Sequence, residues 1–167
     1  MIEKITLSEQ FIITGDVSMP KGFEINSEKF RADILESFIK KEEFSFSKNF
    51  DLLNTFIKDH IRVKYDINLI NKKTWGNAFT SKITEPLLEV DPVDLRNSPD
   101  YILLYGVDVD KCHVRIYYDD NRRKGRSWDI ELKNNKFILF PSTNLYTIRN
   151  NQNKTLNYIQ FISYEFI

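Results

Sequence analysis

The chain has 167 residues, of which 41% are hydrophobic and 14% aromatic, and its 24 lysines and arginines balance 24 aspartates and glutamates. This length and composition predict one globular domain over residues 1–167 that buries a substantial core. A formal net charge of zero excludes a protein that holds nucleic acid or an anionic membrane mainly through bulk charge. It favours self-association, because little electrostatic repulsion separates two copies.

Cysteine and histidine are scarce, with one cysteine, Cys112, and two histidines, His60 and His113. A disulfide framework within the chain and a cysteine-rich zinc site are therefore excluded. The first residues lack a basic segment followed by an apolar run, and no stretch of eighteen apolar residues occurs. We expect a soluble, intracellular protein, or a subunit of an assembly built in a cytosol.

Residues 1–66 are predicted to hold one or two short strands, which end at Gly15-Asp16, and two helices. The first helix runs from Ser27 to about Lys41, with Asn26 or Ser27 as its N-cap. Its apolar residues fall on one face of a 3.6-residue repeat, namely Phe30, Ile34, Leu35, Phe38 and Ile39. The second helix runs from about Ser47 to Ile61. We expect both helices to pack on one face of a sheet.

Residues 67–167 change to a period of two and are rich in β-branched and aromatic side chains, which predicts strands. The predicted strands are Leu69–Thr80, Tyr101–Val109, Cys112–Tyr118, Ser127–Leu132, Lys136–Phe140, Asn144–Arg149 and Thr155–Phe166. Turn signals rich in Asn, Asp, Gly and Pro separate them. The sequence therefore predicts an α+β fold: an antiparallel β-sandwich or jelly roll with two N-terminal helices on one face.

The adjacent Cys112 and His113 resemble a thiol and imidazole pair for nucleophilic catalysis. In an extended strand, however, neighbouring side chains point to opposite faces. We therefore expect Cys112 to be a small buried hydrophobe, and we predict no catalytic residue.

A basic cluster follows Asp119-Asp120 at the tip of a predicted hairpin and consists of Arg122, Arg123, Lys124 and Arg126. One interpretation is a solvated loop whose charges largely cancel. Among functional interpretations we favour contact with another protein over phosphate or nucleic acid, because the whole chain carries no basic excess.

Carboxylates cluster in two places, at Glu85, Glu89, Asp91 and Asp94 and again at Asp108 and Asp110. Alternating carboxylates on a strand can hold a hard cation, but such a site needs ligands from several parts of the chain. His60 is expected at a helix surface or boundary, and we predict no metal site.

Several stretches between residues 69 and 166 carry a more specific pattern: WGN at 75–77, YILLYGV at 101–107, KFILFPS at 136–142, YTI at 146–148 and LNYIQF at 156–161. Together they resemble the C-terminal half of the 2-oxoglutarate/Fe(II) dioxygenase family, in which a Leu-Phe-Pro-Ser strand precedes a ligand histidine. The resemblance implies a double-stranded β-helix. Many small proteins of this kind are encoded by tailed bacteriophages.

The resemblance also implies where an iron site would lie. The family holds iron with a His-x-Asp or His-x-His pair and a distal histidine, and an arginine pairs with the co-substrate carboxylate. This chain has Glu89 and Asp91 in the region of the pair, Tyr146 at the distal position and Leu156 at the arginine position. These are therefore degenerate metal-site positions, and neither a metal nor a cofactor is expected.

These observations lead us to expect a non-enzymatic structural or interaction protein, a component of the head, neck, tail or baseplate of a tailed-phage virion, assembled in the host cytoplasm. Its partners would be other protein subunits or further copies of itself, without direct nucleic acid or membrane contact. Two alternatives stay open. One is an Fe(II)/2-oxoglutarate-dependent hydroxylase with Glu89, Asp91 and Tyr146 as an atypical ligand set; the other is a metal-free module that binds a small ligand in the barrel mouth.

Overall fold

The computed structural model describes residues 1–6, 10–40, 47–80, 83–91, 93–118, 126–150 and 156–167. Its helices are α1 Ser27–Lys40 and α2 Lys48–Tyr65; its strands are β1 Ile13–Asp16, β2 Leu69–Phe79, β3 Tyr101–Asp108, β4 Cys112–Tyr118, β5 Arg126–Leu132, β6 Lys136–Pro141, β7 Leu145–Asn150 and β8 Asn157–Phe166. A short 3₁₀ turn spans Leu95–Asn97. Most bounds lie within two residues of the predicted ones, and α2 continues one turn further.

The strands form two antiparallel sheets, a five-stranded sheet in the order β1-β6-β3-β8-β2 and a three-stranded sheet in the order β5-β4-β7. Beside β7 runs the segment 84–87, where Leu87 and Tyr146 exchange backbone hydrogen bonds of 2.8 and 3.0 Å. The two sheets face each other as a jelly roll. The predicted α+β jelly-roll class, with two helices packed on one face of a sheet, is confirmed.

The space between the two sheets is filled by apolar side chains, as alternation along both sets of strands requires. On β8, for example, Ile159 and Phe161 point between the sheets while Ile162 and Tyr164 point toward the helices. This inter-sheet core contains Ile102, Leu104, Val109, Cys112, Val114, Ile116, Leu132, Ile138, Phe140, Tyr146, Ile148, Ile159 and Phe161.

Helix α1 packs closely on the outer face of the five-stranded sheet. Asn26 caps it, since its Oδ1 accepts a hydrogen bond from the Lys29 N–H at 3.1 Å. Phe30 and Ile34 are fully buried, and Gly76 on β2 provides the space: a Cβ built there would lie 2.5 Å from Ile34 Cγ1.

The predicted apolar face of α1 is only partly correct. Leu35 and Phe38 are 41% and 43% exposed, and Ile39 is 83% exposed. The sheet beneath α1 covers only the stripe through Phe30 and Ile34, so the second half of the predicted face has no described element to pack on.

Helix α2 has a capping residue at each end. The Ser47 Oγ accepts the Phe50 N–H, and Asp66 closes the C-terminus in a left-handed conformation with φ of 56°. Its buried side includes Leu53 and Ile57. Within the described part of the chain, no helix has the length and apolarity needed to cross a membrane.

Candidate functional site

A cavity of about 260 Å³ lies at the end of the sandwich where β2 begins and β8 ends. We call it the mouth cavity. It is lined by Lys72, Lys73, Trp75, Glu89, Asp91, Asp94, Asn97, Ser98, Pro99 and Ser163. Ligand pockets usually measure about 300–1,000 Å³, so this space suits a small molecule rather than a folded partner.

A phenol and a carboxylate are paired beside the mouth cavity. Tyr146, at the start of β7, is 1% exposed, and its hydroxyl donates to Glu89 Oε1 at 2.6 Å. So short a distance is typical of a hydrogen bond to an ionised acceptor. Burial, and secondarily the charge of Glu89 and this hydrogen bond, raise the pKa of Tyr146 far above its usual value. The phenol therefore keeps its proton and acts as a donor.

The segment around Asp91 is held by its own hydrogen bonds. The Asp91 N–H donates to Ser98 Oγ at 2.9 Å, and Asp91 Oδ1 accepts the Val93 N–H at 2.9 Å. Asp94 Oδ2 accepts from Asn97 Nδ2 at 2.7 Å. These contacts place two carboxylates on the same wall as Glu89.

The opposite wall comes from β2 and β8. Lys72 Nζ forms an ion pair with Glu165 Oε1 at 2.7 Å, whereas Lys73 has no ion pair within the described residues. Trp75 stacks nearly parallel on Phe161, with ring centroids 5.1 Å apart. The cavity thus combines three carboxylates, one uncommitted lysine and one aromatic ring.

The structure brings together the three positions at which the sequence resemblance placed a lost metal site. Glu89 and Asp91 line the mouth cavity, and Tyr146 is bonded to Glu89. The position assigned to arginine behaves differently: Leu156 packs toward the helices. Its neighbour Asn157 is fully buried, with Oδ1 accepting the Asp110 N–H at 2.6 Å and Nδ2 lacking a partner.

The residues at these positions do not fit ferrous iron. Among the described residues, no three His, Cys, Asp or Glu side chains converge closely enough to hold a metal ion. Tyr146 keeps its proton and donates a hydrogen bond to Glu89 Oε1, so its hydroxyl is not an anionic ligand in this arrangement. The inter-sheet space behind them is filled by Ile148, Ile159 and Phe161, which offer no charged partner for a co-substrate carboxylate.

Cys112 and His113 lie on opposite faces of β4, as strand alternation predicts. Cys112 is fully buried in the inter-sheet core, and burial, with the charge of Glu131 second, raises its pKa to about 12. A thiol held in this state is a poor nucleophile at neutral pH, and the two side chains do not form a dyad.

The remaining candidates lie apart from the mouth cavity. Arg122, Arg123 and Lys124 fall outside the described residues, and Arg126 is an exposed residue at the start of β5. Asp108 pairs with Arg31 at 2.8 Å. His60 is a surface residue of α2 that stacks on Phe56 at 3.9 Å.

Seven lining residues of the mouth cavity were not predicted as site residues: Lys72, Lys73, Trp75, Asn97, Ser98, Pro99 and Ser163. They come from β2, β8 and the segment before β3, which only tertiary pairing brings together. The sequence signal that could have identified Trp75 was the WGN stretch at 75–77. That stretch contributed to the prediction of the fold but was not assigned to a site.

No protein-family model and no curated protein matches the sequence. Solved structures match by fold. AviO1 from Streptomyces viridochromogenes has a TM-score of 0.65 at 10% identity, covering 93% of this chain and 90% of that one. The non-heme α-ketoglutarate-dependent epimerase SnoN scores 0.63 at 9% identity, with 92% and 76% covered. A Trichoplax adhaerens prolyl hydroxylase, solved with a peptide of hypoxia-inducible factor, scores 0.62 at 9% identity, with 92% and 83% covered.

These likenesses correct the prediction of the chain's function. The solved structures that share this fold include an α-ketoglutarate-dependent epimerase and a prolyl hydroxylase, so the prediction of a non-enzymatic structural protein, a virion component, is wrong. It over-interpreted the small number of histidines and the zero net charge, neither of which indicates a structural role. At 9–10% identity the comparison concerns the fold, and the chain has the fold of 2-oxoglutarate/Fe(II) oxygenases.

Proposed function

We propose that the chain is an enzyme of the oxygenase fold that carries out acid–base chemistry on a small polar substrate in the mouth cavity. The observation that carries this proposal is the 2.6 Å hydrogen bond from Tyr146 to Glu89 beside that cavity. A carboxylate that contacts a protonated phenol can accept a proton from a bound molecule, while the phenol stabilises the negative charge of the carboxylate.

The lining favours a substrate that carries a cationic group. Glu89, Asp91 and Asp94 face a single uncommitted lysine, Lys73, because Lys72 is paired with Glu165. Trp75 adds an aromatic ring, and aromatic faces attract ammonium groups. An amine-bearing metabolite is therefore the substrate class that this cavity suits best.

The test incubates the purified chain with a mixture of amino acids, amino sugars and polyamines and follows their depletion by mass spectrometry. Glu89→Gln keeps the size of the side chain and removes the proton acceptor, so we expect turnover to fall by about 10²–10⁴. Asp59→Asn, at an exposed position on α2, is the matched control with the same change of charge. Equal depletion by wild type and Glu89→Gln, or no depletion of any compound, would contradict the proposal.

The second candidate is an Fe(II)/2-oxoglutarate-dependent hydroxylase with Glu89, Asp91 and Tyr146 as an atypical ligand set. The fold likeness to an α-ketoglutarate-dependent enzyme and the convergence of Glu89, Asp91 and Tyr146 favour it. The protonated phenol and the apolar interior count against it. Iron content and 2-oxoglutarate consumption, measured on protein purified anaerobically with ferrous iron, decide between the two candidates: stoichiometric iron with co-substrate turnover selects the hydroxylase.

Phage origin and partnership with other subunits stay predictions. Light scattering coupled to size-exclusion chromatography would test self-association directly.

A further inference from the structure

A second cavity, of about 140 Å³, lies on the outer face of the three-stranded sheet, away from the mouth cavity. We call it the outer cavity. It is lined by Ile83, His113, Arg115, Asp129, Thr147 and Arg149. Except for Ile83, these residues come from three adjacent strands, β4, β5 and β7.

Strand register explains why these side chains meet. His113 on β4 pairs with Arg149 on β7, and Arg115 pairs with Thr147 on β7 and Asp129 on β5. Directly opposed residues share one face of a sheet, with Cβ atoms about 4.5–5.5 Å apart. Thr147 is 3% exposed and forms the floor, while the longer cationic side chains stand around it.

Asp129 is the single carboxylate among the described residues that line the outer cavity, and both of its oxygens accept hydrogen bonds. Arg115 Nε and Nη2 donate to Asp129 Oδ1 and Oδ2 at 2.7 and 2.9 Å, a bidentate ion pair. The hydrogen bond from Arg115, with smaller contributions from the charges of Arg115, His113 and Arg149, holds the pKa of Asp129 below its usual value. His113 and Arg149 therefore lie close to this carboxylate without bonding to it.

The other polar groups of the outer cavity have no partner of their own. Among the described residues, no hydrogen bond or ion pair engages the side chains of His113, Thr147 or Arg149. A guanidinium, an imidazole and a hydroxyl therefore converge on a small space as unused donors. The lining carries two formal positive charges and one negative charge.

We propose that the outer cavity binds a small oxyanion group, a phosphate or a carboxylate, with Arg149 and Arg115 supplying the positive charge and His113 and Thr147 supplying further donors. Guanidinium forks match the oxygen geometry of both groups. A group of this size fits 140 Å³, whereas a folded partner does not. Glu131, opposite His113 on β5, carries a further negative charge and does not line the cavity.

Titration with inorganic phosphate, ribose 5-phosphate and succinate, each followed by amide NMR, tests the proposal and separates phosphate from carboxylate ligands. We expect a saturable shift at the amides of Thr147 and Arg149. Arg149→Ala should weaken binding about tenfold or more, the effect of a charged hydrogen-bond donor, and Arg149→Lys should weaken it less. Glu131→Gln should strengthen binding, because it removes an opposing charge.

Arg62→Ala on α2 is the matched control, since it removes one exposed arginine that is far from the three-stranded sheet. It should leave the affinity unchanged. Three results would overturn the proposal: no saturable shift with any of the three probes, saturable shifts confined to other parts of the chain, or equal weakening by Arg62→Ala and Arg149→Ala. The last result would mean that binding follows bulk charge.

Discussion

The five-stranded sheet has a different kind of core on each of its faces. On the helix side, buried phenols are hydrogen-bonded to side-chain amides: Tyr164 donates to Asn54 at 2.8 Å and Tyr105 to Asn135 at 2.7 Å. On the side facing the three-stranded sheet, the core is made of aliphatic and phenylalanine side chains together with Cys112 and Tyr146. Tyr146, whose hydroxyl reaches Glu89, marks the boundary of that apolar core.

This difference shows where chemistry is possible in the molecule. A closely packed apolar interior leaves no room for a polar substrate or a charged co-substrate. The two cavities that charged side chains line lie outside that interior, at the rim of the inter-sheet core and on the outer face of the three-stranded sheet. The fold likeness to enzymes is compatible with a site at the rim rather than in the barrel interior.

The largest effect is expected from Phe161→Ala, which empties the centre of the inter-sheet core. Phe161 is 1% exposed and lies 5.1 and 5.9 Å from the rings of Trp75 and Phe79. We expect the free energy of unfolding to fall by about 3–5 kcal/mol, measured by urea denaturation. Phe38→Ala, at a 43% exposed position on α1, is the control; a similar loss there would mean that the inter-sheet core is not the dominant one.

A smaller effect is expected where α1 meets the sheet. Gly76→Ala places a Cβ 2.5 Å from Ile34 Cγ1, so α1 must shift, at a cost of about 1–3 kcal/mol. Adding Ile34→Ala should make the combined loss smaller than the sum of the two single losses. Gly15→Ala, where the nearest ring atom is 3.3 Å away, is the control glycine. Strict additivity in the double variant would refute the contact.

Alkaline pH should lower the free energy of unfolding, because the Cys112 thiol is buried in the inter-sheet core. Burial, with Glu131 contributing less, raises the pKa of the Cys112 thiol to about 12, whereas a thiol in the unfolded chain has a pKa of about 8.5. The unfolded chain therefore releases this proton first, and stability falls above about pH 8.5 by up to about 1.4 kcal/mol per pH unit from this group.

Cys112→Ala removes that contribution. The stability difference between wild type and Cys112→Ala should shrink as the pH rises from about 8 to about 10, in urea unfolding with a reductant present. A difference that stays constant over this range would show that the thiol ionises equally in both states.

The smallest effect is expected from the ion pair between α1 and β3. Arg31 and Asp108 approach to 2.8 Å, with the Arg31 side chain 42% exposed. Arg31→Met should lower stability by no more than about 1 kcal/mol, and about 1 M NaCl should reduce the difference further because salt screens exposed charges. The Arg31 guanidinium also lies over the Tyr158 ring, 6.0 Å from its centroid. A larger, salt-independent loss would indicate that this packing matters more than the ion pair.

The sequence predicted the strands well because alternation is a local property. The segment Cys112–Tyr118, for example, has the same bounds in the prediction and in the structure. Leu35 and Ile39 were predicted in the buried face of α1, since periodicity shows which residues share a face but not how far the sheet beneath extends.

The mouth cavity was harder to predict. Glu89 and Tyr146 were identified only through the family resemblance, and the hydrogen bond between them depends on the pairing of segment 84–87 with β7. Lys73 and Ser163 carry no motif of their own. The arginine position shows how sensitive such transfers are to a shift of one residue: Leu156, just before β8, packs toward the helices, whereas Asn157, the first residue of β8, is fully buried.

The central place of β8 has a consequence for folding on the ribosome. It lies between β3 and β2, and its register joins Leu69 to Phe166, whereas it follows all the other strands in the described chain. Until β8 emerges, β2 has no partner and β3 has one open edge, and open strand edges can recruit strands from other chains. Nascent chains should therefore depend on chaperones until β8 has emerged, and closing such distant pairs should make refolding slow.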